Sequence, residues 1–554
     1  MSGRFRWLFV VALGSLPAGP VLGQGIENRS DVPVLQEVAL EAGIDHHYTG
    51  PWEHFVGGGV AAFDCNGDRL PDLAFAGGSG EASVYVNRTP AGGAFHFERQ
   101  GEALPPDARI AVTGLYPMDL DNDGLRDLVV LRVGSNALLK GTGDCRFQSA
   151  NELFRYAGGE TWTTAFAGFF EPGRTHPTLA FGNYVDRRAP GSPFGTCHDN
   201  VLVRPSRDEA RPDYGDPQTL APGYCALSLL ATDWDNSGRL ALRVSNDRQY
   251  YRGGREQLWR LPPEGNPSEF TANDGWREVR IWGMGIAEAD LEGDGRPEYA
   301  LTSMGDTKLQ ALEIDAGNPG PVYRDIAFER GATAHRPYAG GDPRPSTGWH
   351  TEFADFNNDT NLDLFIAKGN VARMPDFAAF DPDNLLLGQK DGRFVEAGSK
   401  AGIALDRQGR GAALVDLNMD GMLDLVVVNR EAQVSVFRNR GGMADHGTRP
   451  MGNWLQVELQ QSESNRDAVG ATILARVGAR TLIRKVSVGG GHASGRLGFV
   501  HFGLGTAEQA ELRIRWPDGA WSAPYRVFAN NFISIGRDAQ DVRYWYPPAL
   551  TDTR

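Results

Sequence analysis

Asp119-Leu-Asp121-Asn-Asp123-Gly124-Leu-Arg-Asp127-Leu-Val-Val130 places carboxylates at positions 1, 3, 5 and 9 of a tight loop and follows them at once with an apolar run. Oxygen side chains at that spacing converge on one point, as a hard cation with about 6 to 8 oxygen ligands requires, and calcium is the natural candidate. The opening D-x-D-x-D-G is shared with the EF-hand, which needs a bidentate Glu at position 12. Position 12 here is Val130, inside a β-branched run that reads as a buried strand. The unit is therefore strand, cation loop, strand.

The same unit recurs along the chain. Its copies are Asp416, Asn418, Asp420 and Asp424; Asp64, Asn66, Asp68 and Asp72; Asp355, Asn357, Asp359 and Asp363; and Asp290, Glu292, Asp294 and Glu298. A remnant, Asp233, Asp235 and Ser237, has Ala241 at position 9, and Arg69 and Thr360 stand where glycine is usual. Loop starts at 64, 119, 233, 290, 355 and 416 leave one gap of 114 residues, about twice the others, so a copy stripped of carboxylates is expected at Phe170 with Gly173 inside it. Seven units, each with room for four short strands, define a seven-bladed β-propeller. The last unit runs out of chain after two strands past its loop. Leu35 to Ile44 echoes Phe394 to Ile403 of the sixth unit, so the N-terminal segment is expected to complete the seventh blade.

After Gly452 the pattern changes to alternating strands between Gly-rich turns, the mark of a compact all-β module of about 85 residues. The repeats resemble FG-GAP/VCBS calcium repeats. Asn465-Arg-Asp-Ala-Val-Gly470-Ala471, Gly489-Gly490-Gly491, His501-Phe502-Gly503-Leu504-Gly505 and Arg515-Trp516-Pro517-Asp518-Gly519 resemble the ASPIC/UnbV domain, and the combination resembles the cartilage acidic protein family. The resemblance implies that family's fold and calcium loops. The expected class is all-β: a signal peptide (1–23), the propeller (34–440), a Gly-rich linker (441–452), the ASPIC/UnbV domain (453–540) and a tail (541–554).

Arg4 and Arg6 precede the short apolar run Trp7 to Leu13, and Val21-Leu-Gly23 suits cleavage, so a secreted or periplasmic protein is expected. The formal charge is −15. An acidic chain without a Lys/Arg run argues against nucleic acid, and no segment is long and apolar enough for membrane insertion. In an oxidising compartment the four cysteines are disulfide candidates; Cys197 with Cys225 is favoured, and Cys65 with Cys145 is left open. Asn28-Arg-Ser and Asn87-Arg-Thr fit the N-glycosylation pattern.

No hydrolase elbow or zinc motif is present, since Ser494 lacks the G-x-S-x-G setting and no H-E-x-x-H occurs. His46, His47, His54 and His350 flank loops and are the candidates for a metal cluster. The long insertions, Asn183 to Gly223 and Arg330 to Trp349, carry Tyr184, Phe194, Tyr214, Tyr338 and Trp349, which suit a binding surface. The expectation is a non-catalytic scaffold for a protein or glycan, carrying about four to five structural calcium ions. The alternative is an extracytoplasmic enzyme or biosynthetic accessory factor.

Overall fold

The computed structural model describes residues 31–189, 196–207, 210–247, 253–313, 320–333, 347–371, 378 and 381–548. The expected leader, Asn28, Phe194 and Tyr338 lie outside the described residues.

Seven four-stranded antiparallel sheets follow the predicted period. Blade one is Val60–Phe63, Asp72–Phe75, Ser83–Asn87 and Phe97–Arg99, and blade two is Val112–Met118, Asp127–Gly134, Ala137–Gly141 and Phe147–Ser149. Blades three to six begin at Thr161, Ala226, Gly283 and Gly348. Each innermost strand packs beside the next, and the seventh, Gly409–Val415, returns to the first, so the ring closes. Strands such as Leu128 to Leu131 are fully buried between blades, at about 1.5–3 kcal/mol per large side chain.

The seventh blade is completed from the other end of the chain. Pro33–Glu37 pairs antiparallel with Ser435–Met443, Leu35 facing Asn439 and Glu37 facing Phe437. The echo between Leu35–Ile44 and Phe394–Ile403 is thus structural. The carboxylate-poor third unit is a true blade, with Thr161–Phe169 paired to Thr178–Asn183. Its turn holds Glu171, which accepts from both Nε (2.8 Å) and Nη2 (2.9 Å) of Arg204. A guanidinium supplies there the positive charge that a cation would bring elsewhere.

Both disulfides form: Cys65 with Cys145, and Cys197 with Cys225. They close stretches of 80 and 28 residues, restricting the unfolded chain by about 4.5 and about 3.6 kcal/mol on loop-closure entropy. Replacing Cys197 and Cys225 together by Ala is expected to lower unfolding stability by about 3 kcal/mol in a denaturant titration; a loss under about 1 kcal/mol would mean the staple is idle.

Residues 441–452 are folded. Met443 and Gly442 pair back with Thr448 and Arg449, and Met451 is buried. The C-terminal module has two four-stranded sheets. In one, Asn453–Gln460 lies between Val500–Gly505 and Asn531–Gly536, and Arg543–Trp545 adds an outer strand. In the other, Thr472–Val477 lies between Arg480–Lys485 and Gln509–Arg515. Between Lys485 and Val500 the chain leaves the module and enters the propeller.

Candidate functional site: cation loops beneath the C-terminal module

Six loops share one wiring. The Oδ2 of the position-one Asp accepts the N–H of position six in every copy: Arg69 to Asp64 (2.8 Å), Gly124 to Asp119 (3.0 Å), Gly238 to Asp233 (2.8 Å), Gly295 to Asp290 (2.6 Å), Thr360 to Asp355 (2.8 Å) and Gly421 to Asp416 (2.7 Å). Position six is left-handed throughout, with Arg69 at φ 69° and Thr360 at φ 78°. Those two therefore adopt the glycine conformation at a cost of about 1 kcal/mol each.

Position five uses its Oδ1 to accept from position seven, as Asp68 does from Leu70 (2.8 Å) and Asp420 from Met422 (3.0 Å). Position nine is a staple. Asp72, Asp127, Asp363 and Asp424 each accept one N–H from their own loop and one from the third strand of the blade, for instance Leu120 (2.7 Å) and Gly141 (2.8 Å) on Asp127. Glu298 accepts from Leu291 (2.9 Å).

With these bonds made, certain oxygens have nothing to bind. Asp119 Oδ1, Asp121 Oδ1, Asp233 Oδ1 and Asn418 Oδ1 are buried without a hydrogen-bond partner. Asp119, Asp121 and Asp127 offer oxygens within 4.8 Å of one another. Buried acceptors lacking donors, all of them oxygen, match a hard cation. Burial also holds the carboxyls protonated well above their usual range: Asp72 up to about 8, Glu298 and Asp355 to about 7, Asp119 to about 6, with Asp363, Asp416 and Asp424 likewise raised well above it. A bound divalent ion removes that penalty. Where calcium binds, positions one, three and five would hold it, and its chemistry here is electrostatic cross-linking.

Cys65 and Cys145 also lie beside Asp72, but their disulfide removes thiolate ligation. Loop two, the best copy by sequence, already has a cation: Lys140 Nζ contacts Asp121 and lies 2.5 Å from Asp123. Lys140→Met is expected to tighten calcium at loop two about tenfold by removing the competing charge, readable by isothermal titration; an unchanged binding profile would show that the ammonium simply swings aside.

The module sits on this loop face. Arg126 of blade two pairs with Asp467 (2.5 Å), Arg69 with Glu458 (3.2 Å), and Arg480 donates to Asn361 (2.9 Å). From the module, residues 486–497 thread the propeller axis and touch all seven blades. Gly168 N–H donates to Val488 O, Gly490 to Leu229 O and Gly491 to Ile286 O. His492 accepts from Gly57 N–H on Nε2 (3.0 Å), donates from Nδ1 to Leu227 O (3.0 Å), and its own N–H binds His350 Nδ1 (3.1 Å). Ser494 Oγ accepts from Val60 N–H (3.1 Å), Leu115 N–H meets Ala493 O, and Arg496 Nε donates to Glu352 (2.6 Å). Gly495–Leu497 pairs parallel with Ala61–Phe63, and Gly411 of blade seven abuts Ser494. His492 is fully buried, and burial lowers its pKa to about 3, so the ring is neutral.

Sequence reasoning missed this axial segment, yet a signal exists. Five residues before each loop start stand Gly59, Gly114, Ala165, Ser228, Gly285, His350 and Gly411. Six of the seven are small and leave room on the axis, while His350 binds the segment. The histidines do not gather: His46 bonds Ala76 O and Ser83, His54 packs edge-on to Tyr48, and His350 faces the axis. Asn87 is fully buried and donates to Pro71 O and Leu417 O, so it is no glycan acceptor.

Comparison with known proteins places these features in a class. Residues 64–130 and 355–427 match the FG-GAP-like repeat, and residues 461–542 match ASPIC and UnbV. The chain is thus an FG-GAP repeat propeller carrying an ASPIC/UnbV domain. It is similar to cartilage acidic protein 1: that of Homo sapiens is 27% identical over 455 residues, 76% of this chain and 61% of the relative, and that of Mus musculus 28% identical over 262 residues, 45% of this chain and 36% of the relative. The chain therefore spans less than two thirds of these relatives. Among solved structures, BBS1N in complex with ARL6DN (TM-score 0.40, 8% identity, 75% of this chain and 99% of that one) and Sqt1 of Saccharomyces cerevisiae (TM-score 0.37, 13% identity, 90% and 100%) are similar only at scores that bear on neither ligand nor activity.

Proposed function

We propose that the protein is a secreted or periplasmic, non-catalytic binding scaffold whose calcium ions are structural. The observation that carries this reading is the set of buried, donorless oxygens at equivalent places in the loops, Asp119 Oδ1, Asp121 Oδ1, Asp233 Oδ1 and Asn418 Oδ1. Two disulfides fit an oxidising compartment. Among the described residues no helix is long and apolar enough to cross a membrane.

With the loop face covered by the module, a protein or glycan partner is left the opposite face. There the Cys197–Cys225 staple and the half-buried Trp52 and Trp282 surround buried Trp162 and Trp349. Equilibrium dialysis against calcium tests the reading: about four to five ions per chain are expected, with magnesium a poor substitute. Retention of no calcium at millimolar concentration would end it. A partner found on glycan or protein arrays should be held without change of mass, whereas an altered partner would favour an enzyme.

A further inference from the structure

The module meets the same atom in four different loops. Gln456 Nε2 donates to Asp416 Oδ2 at 2.6 Å, and Gln456 is buried. Arg466 Nε stands 4.0 Å from Asp119 Oδ2 while donating to Asn122 O at 2.9 Å. Arg515 Nη1 stands 3.7 Å from Asp233 Oδ2 and donates to Asn236 Oδ1 at 2.6 Å. Gly503 lies so close to loop six that a Cβ there would fall 2.0 Å from Asp355 Oδ2.

In each case the oxygen touched is the outer one, already engaged by the position-six N–H. The inner oxygens of Asp119 and Asp233, and Asn418 in the Gln456 loop, are the ones left buried and unpartnered. Groups behind a ligand orient it and tune its metal, and losing one typically costs about 10–100-fold in affinity. We propose that the C-terminal module forms the outer coordination shell of the calcium loops, with Gln456, Arg466 and Arg515 as positioning residues. Calcium binding and seating of the axial segment 486–497 are then one linked equilibrium, and each strengthens the other by the same factor. This inference rests on the calcium reading above.

Loop seven offers a local reporter. The Trp454 ring packs directly on Gly421, where an added Cβ would stand 1.8 Å from Trp454 Cε2. Terbium in loop seven should therefore emit on tryptophan excitation, and the part lost in Trp454→Phe belongs to that loop. In the full chain, Gln456→Met keeps the volume and removes the donor. It is expected to raise the terbium midpoint of the Trp454-dependent emission about tenfold and to leave the rest of the emission in place. A midpoint within about twofold of wild type refutes the positioning role while leaving the calcium reading intact.

Hydrogen exchange on the unmutated protein needs no variant to fold. Calcium should slow exchange at the Gly490 and Gly491 amides, which bond Leu229 O and Ile286 O. Equal exchange with calcium and with chelator overturns the linkage. If wild type neither sensitises terbium nor retains calcium, both readings fall together.

Discussion

Calcium at 1 mM is expected to raise the melting temperature of the chelator-treated protein by roughly 5 °C, and magnesium to do so far less. Extracellular calcium modules often have dissociation constants near 10⁻⁴ M, so each site adds about 1.4 kcal/mol by mass action and four add about 5 to 6. A chain of this size melts with an entropy on the order of 1 kcal/mol per kelvin, which sets the 5 °C scale.

The effect should also depend on pH. In the metal-free fold Asp119, Glu298, Asp355 and Asp72 bind protons up to about 6, 7, 7 and 8, whereas the unfolded chain releases them near pH 4. The folded state then holds more protons, so its stability is full below about pH 4 and drains away as pH rises toward 8. Buried histidines act oppositely but lower down: His46 and His54 near 4 and His492 and His501 near 3 weaken the fold below about pH 6.5. Between pH 6.5 and 8.5 the carboxylates decide. There the metal-free melting temperature should fall, while the calcium-induced rise should grow because fewer protons compete. A metal-free protein whose melting temperature climbs over that interval would show that the loops are not the strained, proton-holding sites described.

Gly59→Val is the most disruptive single change expected on the axis. A Cβ at Gly59 would stand 1.8 Å from Ala493 O and 3.1 Å from Gly114 Cα, both backbone atoms that cannot rotate away. Overpacking typically costs about 1–3 kcal/mol and more where backbone must move. The expected outcome is expulsion of residues 486–497, a loss of about 3 kcal/mol or more, and new proteolytic cleavage between the propeller and the module. Gly101→Val is the control, since no atom lies within 4 Å of its Cβ position. Equal melting and protease resistance in the two variants would mean that the axial segment is dispensable to the fold.

The ring was legible because each blade carries its own copy of a loop whose chemistry constrains residue type, and because the copies keep register with the strands. Even the degenerate third blade followed from arithmetic, with Pro177-Thr-Leu standing where Pro71-Asp-Leu stands in the first. The closing strand showed itself as an echo of the sixth blade. What escaped was everything between the domains. Gln456, Arg466, His492 and Arg515 act on partners 40 to 435 residues away, and no local pattern links such pairs. Lys140 was missed for the same reason: it sits in the third strand of its blade, where Val86 and Leu387 stand in other blades, and only folding brings its ammonium to Asp121.

The strand Pro33–Glu37 waits for a partner that ends at Met443. As the chain emerges from its N-terminus, the seventh sheet lacks its outer strand's mate until some 400 residues later, and such distant pairing is slow because loop closure precedes reward. Until then the unpaired edge is a template for other chains. The ring therefore closes only once Ser435–Met443 has been made, and a product truncated before that strand would remain an open, sticky arc.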